Sequence, residues 1–309
     1  MNKSHTKTRR HEGKKNRKNF SLPFLRVFVS SCEIFILAVG LSATSVAAPQ
    51  RIVSLCVPGD QLLLSLVPRE RIVALSQYAV DPDLSANYQQ AEGIPRVRGG
   101  AESLVTLQPD LVLTSVYSNP MVTAYLTKRG VKVVALDIPT NFDELRDQIR
   151  NVARIVGEEE KAETLIRDMD VRLEKLRAHR LPKAEWPAIF ICFQDRFSMG
   201  SHASFTDALL EAVGCRNIAN QLAKSGAIPL ETVLFARPDM VIFTRYKVSH
   251  PTSTQMNHLP AFFRRIGSEV ASVSMRDIVS PDPSSLNFAE WLQEKVLQIA
   301  EKKRQASSK

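Results

Sequence analysis

Cysteine, tryptophan and the glycine-rich phosphate motifs are scarce or missing in this 309-residue chain, and each shortage removes a class of function. The four cysteines, Cys32, Cys56, Cys192 and Cys215, show no CxxC and no Cys/His spacing, so nothing in the sequence indicates structural zinc. Past residue 47 the histidines are His179, His202, His250 and His258, again without ligand spacing. His250 and His258 fall in a Pro/Ser/Thr-rich stretch and read as solvated loop residues. The turn after the first apolar run is Cys56-Val57-Pro58-Gly59-Asp60, not GxGxxG, and neither GxxxxGK[ST] nor GxSxG occurs. Dinucleotide, nucleoside-triphosphate and serine-hydrolase signatures are therefore missing, and no catalytic residue set is implied.

A broad excess of positive charge is also missing from most of the chain. The formal total is +9, but residues 1–47 hold nine Lys/Arg against Glu12 and Glu33, leaving only +2 for the remaining 262 residues. A nearly neutral body offers no footprint for a phosphate backbone, which excludes nucleic acid as the expected partner. The basic start is followed by the apolar run Ile34–Leu41 and by Ser45-Val46-Ala47-Ala48. That order is a secretory signal, residues 1–47, with cleavage expected after Ala47 or Ala48 and the mature protein in the periplasm. An uncleaved anchor is the alternative if the run extends back through Leu22–Val29, across Arg26, Cys32 and Glu33. Val29-Ser30-Ser31-Cys32 loosely resembles a lipoprotein cleavage site. Export leaves three mature cysteines, an odd number, so at most one disulfide can form; small buried apolar residues are the expectation for all three.

The mature chain alternates short apolar runs with amphipathic segments, the grammar of parallel sheets covered by helices. Arg51–Leu55, Ile72–Leu75, Leu111–Thr114 and Val131–Leu136 read as strands, and Pro58-Gly59-Asp60 reads as a turn into a helix. These define an N-terminal lobe over residues 50–139. Residues 140–184 form a helical connector: one helix is capped by Thr140 or Asn141 and stopped by Gly157, and another, Glu158–Arg177, is about 30 Å long. The C-terminal lobe, residues 185–304, restarts with the strand Ala188–Phe193 and the capped helix Ser204–Gly214. A weak strand at Val270–Val273 and a closing helix at Ser285–Lys303 follow, and the tail Gln305–Lys309 should fray.

One pattern occurs twice. Glu102-Ser-Leu-Val-Thr-Leu-Gln-Pro109-Asp110 runs into Leu-Val-Leu, and Glu231-Thr-Val-Leu-Phe-Ala-Arg-Pro238-Asp239 runs into Met-Val-Ile-Phe. Each copy reads as a short helix, a proline stop and a buried strand, which suggests two lobes built alike with a glutamate at the same surface point of each. In open parallel sheets a ligand binds beyond the carboxyl ends of the strands. Those ends supply Tyr78, Arg98 and Tyr117 in the first lobe and Gln194, Arg196, Phe197, Arg245 and Tyr246 in the second. Aromatic faces suit a planar or ring-rich ligand, and arginines suit carboxylate, phosphate or catecholate oxygens.

Taken in order, Arg51–Leu55, Arg71–Ser76, Glu102–Leu113, Leu126–Val134, Phe205–Gly214 and Leu230–Ile242 make the chain resemble the periplasmic solute-binding proteins of iron-siderophore, haem and cobalamin ABC importers. The resemblance implies two Rossmann-like α/β lobes joined by a long rigid helix, with the ligand in the cleft between them. It implies a monomer without catalysis or resident cofactor, serving a dimeric ABC permease and its ATPase in the inner membrane. In that family a glutamate on each lobe docks the permease, which by motif position gives Glu102 and Glu231. Acids at helix N-termini also favour the helix dipole, and both roles can hold at once. Cobalamin binders of the group often present tryptophans to the ring, whereas Trp186 and Trp291 lie in the connector and the last helix. Tyr78 falls where a cobalamin-contacting tyrosine is expected. The arginines equally fit a ferric siderophore, a tyrosine with an arginine fits haem, and an iron complex ranks above cobalamin. An exported α/β enzyme built around Cys56 or His202, or a membrane-anchored sensor on the same fold, is the competing reading.

Overall fold

The computed structural model describes residues 47–98, 100–192, 204–222, 228–245 and 254–308. The signal segment, Gln194, Arg196, Phe197, His202, Tyr246 and His250 lie outside the described residues. The first sheet and its helices comprise β1 (Ile52–Ser54), α1 (Val57–Leu66), β2 (Ile72–Ser76), β3 (Arg96–Val97), α2 (Ala101–Thr106), β4 (Leu111–Ser115), α3 (Pro120–Lys128) and β5 (Lys132–Leu136). Then come α4 (Phe142–Val156) and α5 (Glu159–Ala178). The second sheet and its helices are β6 (Ala188–Cys192), α6 (Phe205–Val213), β7 (Arg216–Asn217), α7 (Ala219–Leu222), α8 (Leu230–Ala236), β8 (Met240–Arg245), α9 (Thr254–Arg265), β9 (Glu269–Ser274), α10 (Arg276–Val279) and α11 (Ser285–Ser307). The sheet orders are β3-β2-β1-β4-β5 and β7-β6-β8-β9, and every pairing is parallel.

Strand alternation divides the core. Ile52, Leu111, Leu113, Ile189, Ile191, Met240 and Ile242 all face one buried cluster that runs from α1 through α4 and α5 to α6 and α11, so the two sheets share an interior. Their sequence neighbours face away: Val53 and Val112 pack with Leu104 and Leu126, and Phe190, Val241 and Phe243 pack with Val233 and Phe263. Both sheets are thus buried on both faces, which is why their strands read as continuous apolar runs. The connector ties the sheets together. Helix α4 is capped by the Asn141 side chain and closed by left-handed Gly157. Helix α5 buries Ala162, Ile166, Met169, Leu173 and Leu176 at three- and four-residue spacing. At one end Lys161 Nζ donates to Leu66 O (3.0 Å), and at the other Gln293 Nε2 donates to Leu176 O (2.7 Å).

The duplicated motif has the same geometry in both copies. Gln108 and Arg237 are the two non-glycine residues with left-handed backbone among those described, at φ of 47° and 45°, each just before the motif proline. The aspartate that follows then reaches the start of the first strand of its sheet. Asp110 Oδ atoms accept from Gln50 N (2.7 Å) and Arg51 N (3.0 Å), and Asp239 Oδ2 accepts from Ala188 N (2.8 Å). Each carboxylate therefore fixes the entry of a central strand next to the strand that follows the motif.

Three expectations need correction, and two short strands are additions. Pro58-Gly59-Asp60 is not a turn: α1 begins at Val57, because proline in a first turn forfeits no hydrogen bond. The two-residue strands β3 and β7 carry too little pattern to be read from sequence. His258 lies on helix α9 rather than in a loop. Gln305–Ser307 continue α11 instead of fraying; the preceding turn is held by Lys302–Glu269, Lys303–Asp239 and Arg304–Glu185 ion pairs.

Candidate functional site

The strand order sets the edge of the first sheet. Strands β3, β2, β1 and β4 lie side by side, so Arg98, Tyr78, Cys56 and Tyr117 follow one another along their carboxyl ends. Tyr78 and Tyr117 are 42 % and 80 % exposed, so both rings are accessible at this edge, and Arg98 is also exposed. In the second sheet Arg245 ends β8, paired in register with Ser274 of β9.

The carboxyl ends of the two sheets meet. Ser274 Oγ donates to the Asp83 backbone oxygen (3.3 Å), Arg276 donates to Pro82 O (2.9 Å), and the Arg276 guanidinium lies over Tyr88 (5.9 Å). The segment after β2 thus touches the segment after β9 at the carboxyl ends of the two sheets. Tyr78, Arg98 and Tyr117 share this side of the molecule. The second-lobe contributions of Gln194, Arg196, Phe197 and Tyr246 lie outside the described residues.

A buried polar relay stands behind Tyr78. Asp60, with no exposed surface, accepts from Ser76 N (3.0 Å) and Ser76 Oγ (2.5 Å), and Ser76 Oγ accepts from Tyr78 N (3.2 Å). Burial pushes the Asp60 carboxyl up to about 7, against the opposing pull of the Ser76 and Ser54 hydrogen bonds. This relay was missed in the sequence, where Asp60 read as part of a turn; an acid three residues after a helix start on an otherwise apolar stretch was the available signal. Gly59 makes the close approach possible. A Cβ there would stand 2.6 Å from Ser54 Oγ and 3.2 Å from Leu113 Cβ. Gly59→Ala should therefore cost about 1–3 kcal/mol, read as a lower urea midpoint with an unchanged slope.

Cys56 borders the same relay. Its thiol is pushed up to about 12, first by burial and further by the Asp60 charge, so it lacks the thiolate character a nucleophile needs. Cys192 is likewise raised to about 12 by burial, and Cys215 is raised for the same reason. No disulfide joins these three cysteines. Cys192 and Cys215 are buried as expected, whereas Cys56 keeps partial exposure. No cluster of three metal-binding side chains occurs among the described residues.

Glu102 and Glu231 are both exposed in the first turn of their short helices, α2 and α8. The copies differ one turn on: Phe235, 88 % exposed, stands where the first copy has Thr106. The molecule also has a cavity of about 470 Å³ between β5 and α4, whose walls include neither Tyr78 nor Tyr117. No helix among the described residues is long and apolar enough to cross a membrane.

Residues 52–259 match a family described as periplasmic binding protein. A cobalamin-binding protein of Halobacterium salinarum is 25% identical over 200 residues, 63% of this chain. The match spans about half of that relative, 53% of its length. An uncharacterized ABC transporter substrate-binding lipoprotein of Bacillus subtilis, YvrC, is 22% identical over 204 residues, covering 63% of this chain and 64% of the relative. Among solved structures, the periplasmic haem-binding protein HutB of Vibrio cholerae superimposes with a TM-score of 0.67 at 18% identity, over 80% of this chain and 98% of that one.

Proposed function

Since this chain belongs to the periplasmic binding protein family, we propose that it is the substrate-binding component of an ABC importer, capturing a metal chelate and delivering it to an inner-membrane permease and its ATPase. The observation that carries this reading is the meeting of two parallel-sheet edges, with exposed Tyr78, Arg98 and Tyr117 on the first. Exposed aromatic faces bind a ring system, and an arginine pairs with the acidic oxygens that ferric siderophores, haem and cobalamin carry in different arrangements. A cobalamin-binding relative and a haem-binding structural neighbour support that ligand class. Capture without chemistry fits the binding roles of these relatives, and burial of the Cys56 thiol speaks against its use as a nucleophile.

The protein acts outside the inner membrane as a monomer, released after Ala47 or Ala48. Glu102 and Glu231, one on each lobe, set its register on a two-fold permease, as paired fixed charges do at symmetric partners. A strain lacking this chain should lose high-affinity uptake of one among ferric siderophore, haem and cobalamin, and regain it when the gene is returned. Unchanged uptake of all three would refute the assignment.

A further inference from the structure

A second cavity, of about 210 Å³, lies where the two lobes and the connector meet. Its walls include Gln61 of α1, Asn87 after β2, Arg172 of α5, and Asp282 and Ser284 ahead of α11. None of the expected ligand or docking residues lines it. Two of its side chains are buried without a matching partner. Gln61 is 1 % exposed, and neither its Nε2 nor its Oε1 has a hydrogen-bond partner among the described residues. Asp282 is 4 % exposed; its Oδ1 accepts from Ser284 N (2.6 Å), the Ser284 side chain also favours its charged form, and Oδ2 has no hydrogen-bond partner among the described residues. The Gln61 side chain lies beside Asp282 and favours its charged form, without completing the hydrogen bonding of either group.

A buried polar group left unmatched costs about 1–3 kcal/mol, and three such atoms belong to two side chains on this cavity's wall. The one cation on the cavity wall is already engaged. Arg172 donates to Glu290 (2.8 and 2.9 Å) and to Asn287 Oδ1 (2.6 Å), so its charge is offset from the rim. The net demand is for a donor with positive charge at Asp282 Oδ2 and Gln61 Oε1, plus an acceptor for Gln61 Nε2. A bare metal ion does not meet it, because the Gln61 amide N–H would repel the ion and the space exceeds one ion's volume. At ~30 Å³ per water the cavity has room for about seven waters, or for a molecule of a few heavy atoms.

We propose that this junction is a second binding site, for a small protonated primary amine that also carries a hydroxyl. The ammonium sits between Asp282 and Gln61 Oε1, and the hydroxyl oxygen accepts from Gln61 Nε2. Because α1, α5 and the segment before α11 all contribute walls, an occupant would hold both lobes and the connector together and raise the unfolding midpoint.

Ethanolamine is the probe, and choline, which keeps the hydroxyl but has no N–H donor, is the control at equal ionic strength. Calorimetric titration of the purified protein should show one-to-one binding of ethanolamine and none of choline. The unfolding midpoint should rise by about 2–4 °C at tenfold saturation. Asp282→Asn should weaken binding at least tenfold. Ser65→Phe, at an exposed wall position, should block entry without unsettling the core. Equal binding of choline, equal stabilisation by sodium, or no ethanolamine binding up to about 10 mM would each overturn the proposal, the last leaving the cavity to water alone.

Discussion

Replacing Glu102 and Glu231 together by alanine should abolish delivery of the captured ligand while leaving its capture intact. Both glutamates are exposed at the start of short helices that the duplicated motif builds identically, down to the left-handed residue before each proline and the aspartate that clamps the neighbouring strand. The motif aspartates fix each helix relative to its sheet, and α5 fixes the sheets relative to each other, so the two charges are held at a set spacing. Truncating one partner of a desolvated interfacial charge pair costs about 2–5 kcal/mol, so losing two weakens docking by about a thousandfold or more. Docking to the permease in nanodiscs, measured by surface plasmon resonance beside ligand affinity for the same variants, separates the roles. A fall in ligand affinity with docking retained would place the glutamates in the pocket. Each single variant should retain a measurable part of the docking, and Glu231→Ala should weaken it less if exposed Phe235 adds an apolar contact on that side.

The second large effect concerns Asp60. Its carboxyl is raised to about 7 in the folded protein from an ordinary 3.8, so the folded state holds the proton more tightly than the unfolded chain does. The stability this confers is complete below about pH 3.8 and is lost as pH rises through about 7. A shift of this size corresponds to roughly 4 kcal/mol between those limits. Asn at position 60 accepts from Ser76 N and donates to Ser76 Oγ as a protonated acid does, without the buried charge. Asp60→Asn should therefore be more stable than the native protein at pH 8, with the gap closing towards pH 4, measured by urea unfolding across that range. Asp282, raised to about 6 by burial, adds a dependence of the same sign that persists in both proteins. If native and variant curves ran parallel across pH 4–8, Asp60 would not be a buried, proton-binding carboxyl. Since Ser76 in turn orients the Tyr78 backbone, the same variant also tests whether this relay positions Tyr78 for the proposed ligand: ligand affinity should vary less with pH in Asp60→Asn.

Periodicity made the large elements legible. Phe142–Val156 carries its own cap and stop, and the Ser204/Asp207 capping box with left-handed Gly214 bounds α6 where the sequence placed it. The motif copies announced equivalent helix and strand units because a short helix, a proline and an apolar run are all local signals. What could not be read depends on partners far apart in the chain. The Asp110 and Asp239 clamps join residues 59 and 51 positions apart, and the walls of the cavity between Gln61 and Asp282 come from opposite ends of the described chain. Two-residue strands such as Arg96–Val97 exist only because a neighbouring strand accepts them. For the site, the placement of Tyr78, Arg98 and Tyr117 beyond the carboxyl ends of strands followed from the strand signals, whereas the relay behind Tyr78 depends on a close approach that Gly59 permits and no local pattern encodes.

The most direct measurement is equilibrium binding of the purified protein to ferric siderophore, haem and cobalamin, followed by intrinsic fluorescence, which Trp186, Trp291 and the five tyrosines supply. Saturable one-to-one binding of one of these chelates at micromolar concentration or below, weakened by Tyr78→Ala, is the expected result. No response to any of the three would contradict the assignment of this chain to metal-chelate import.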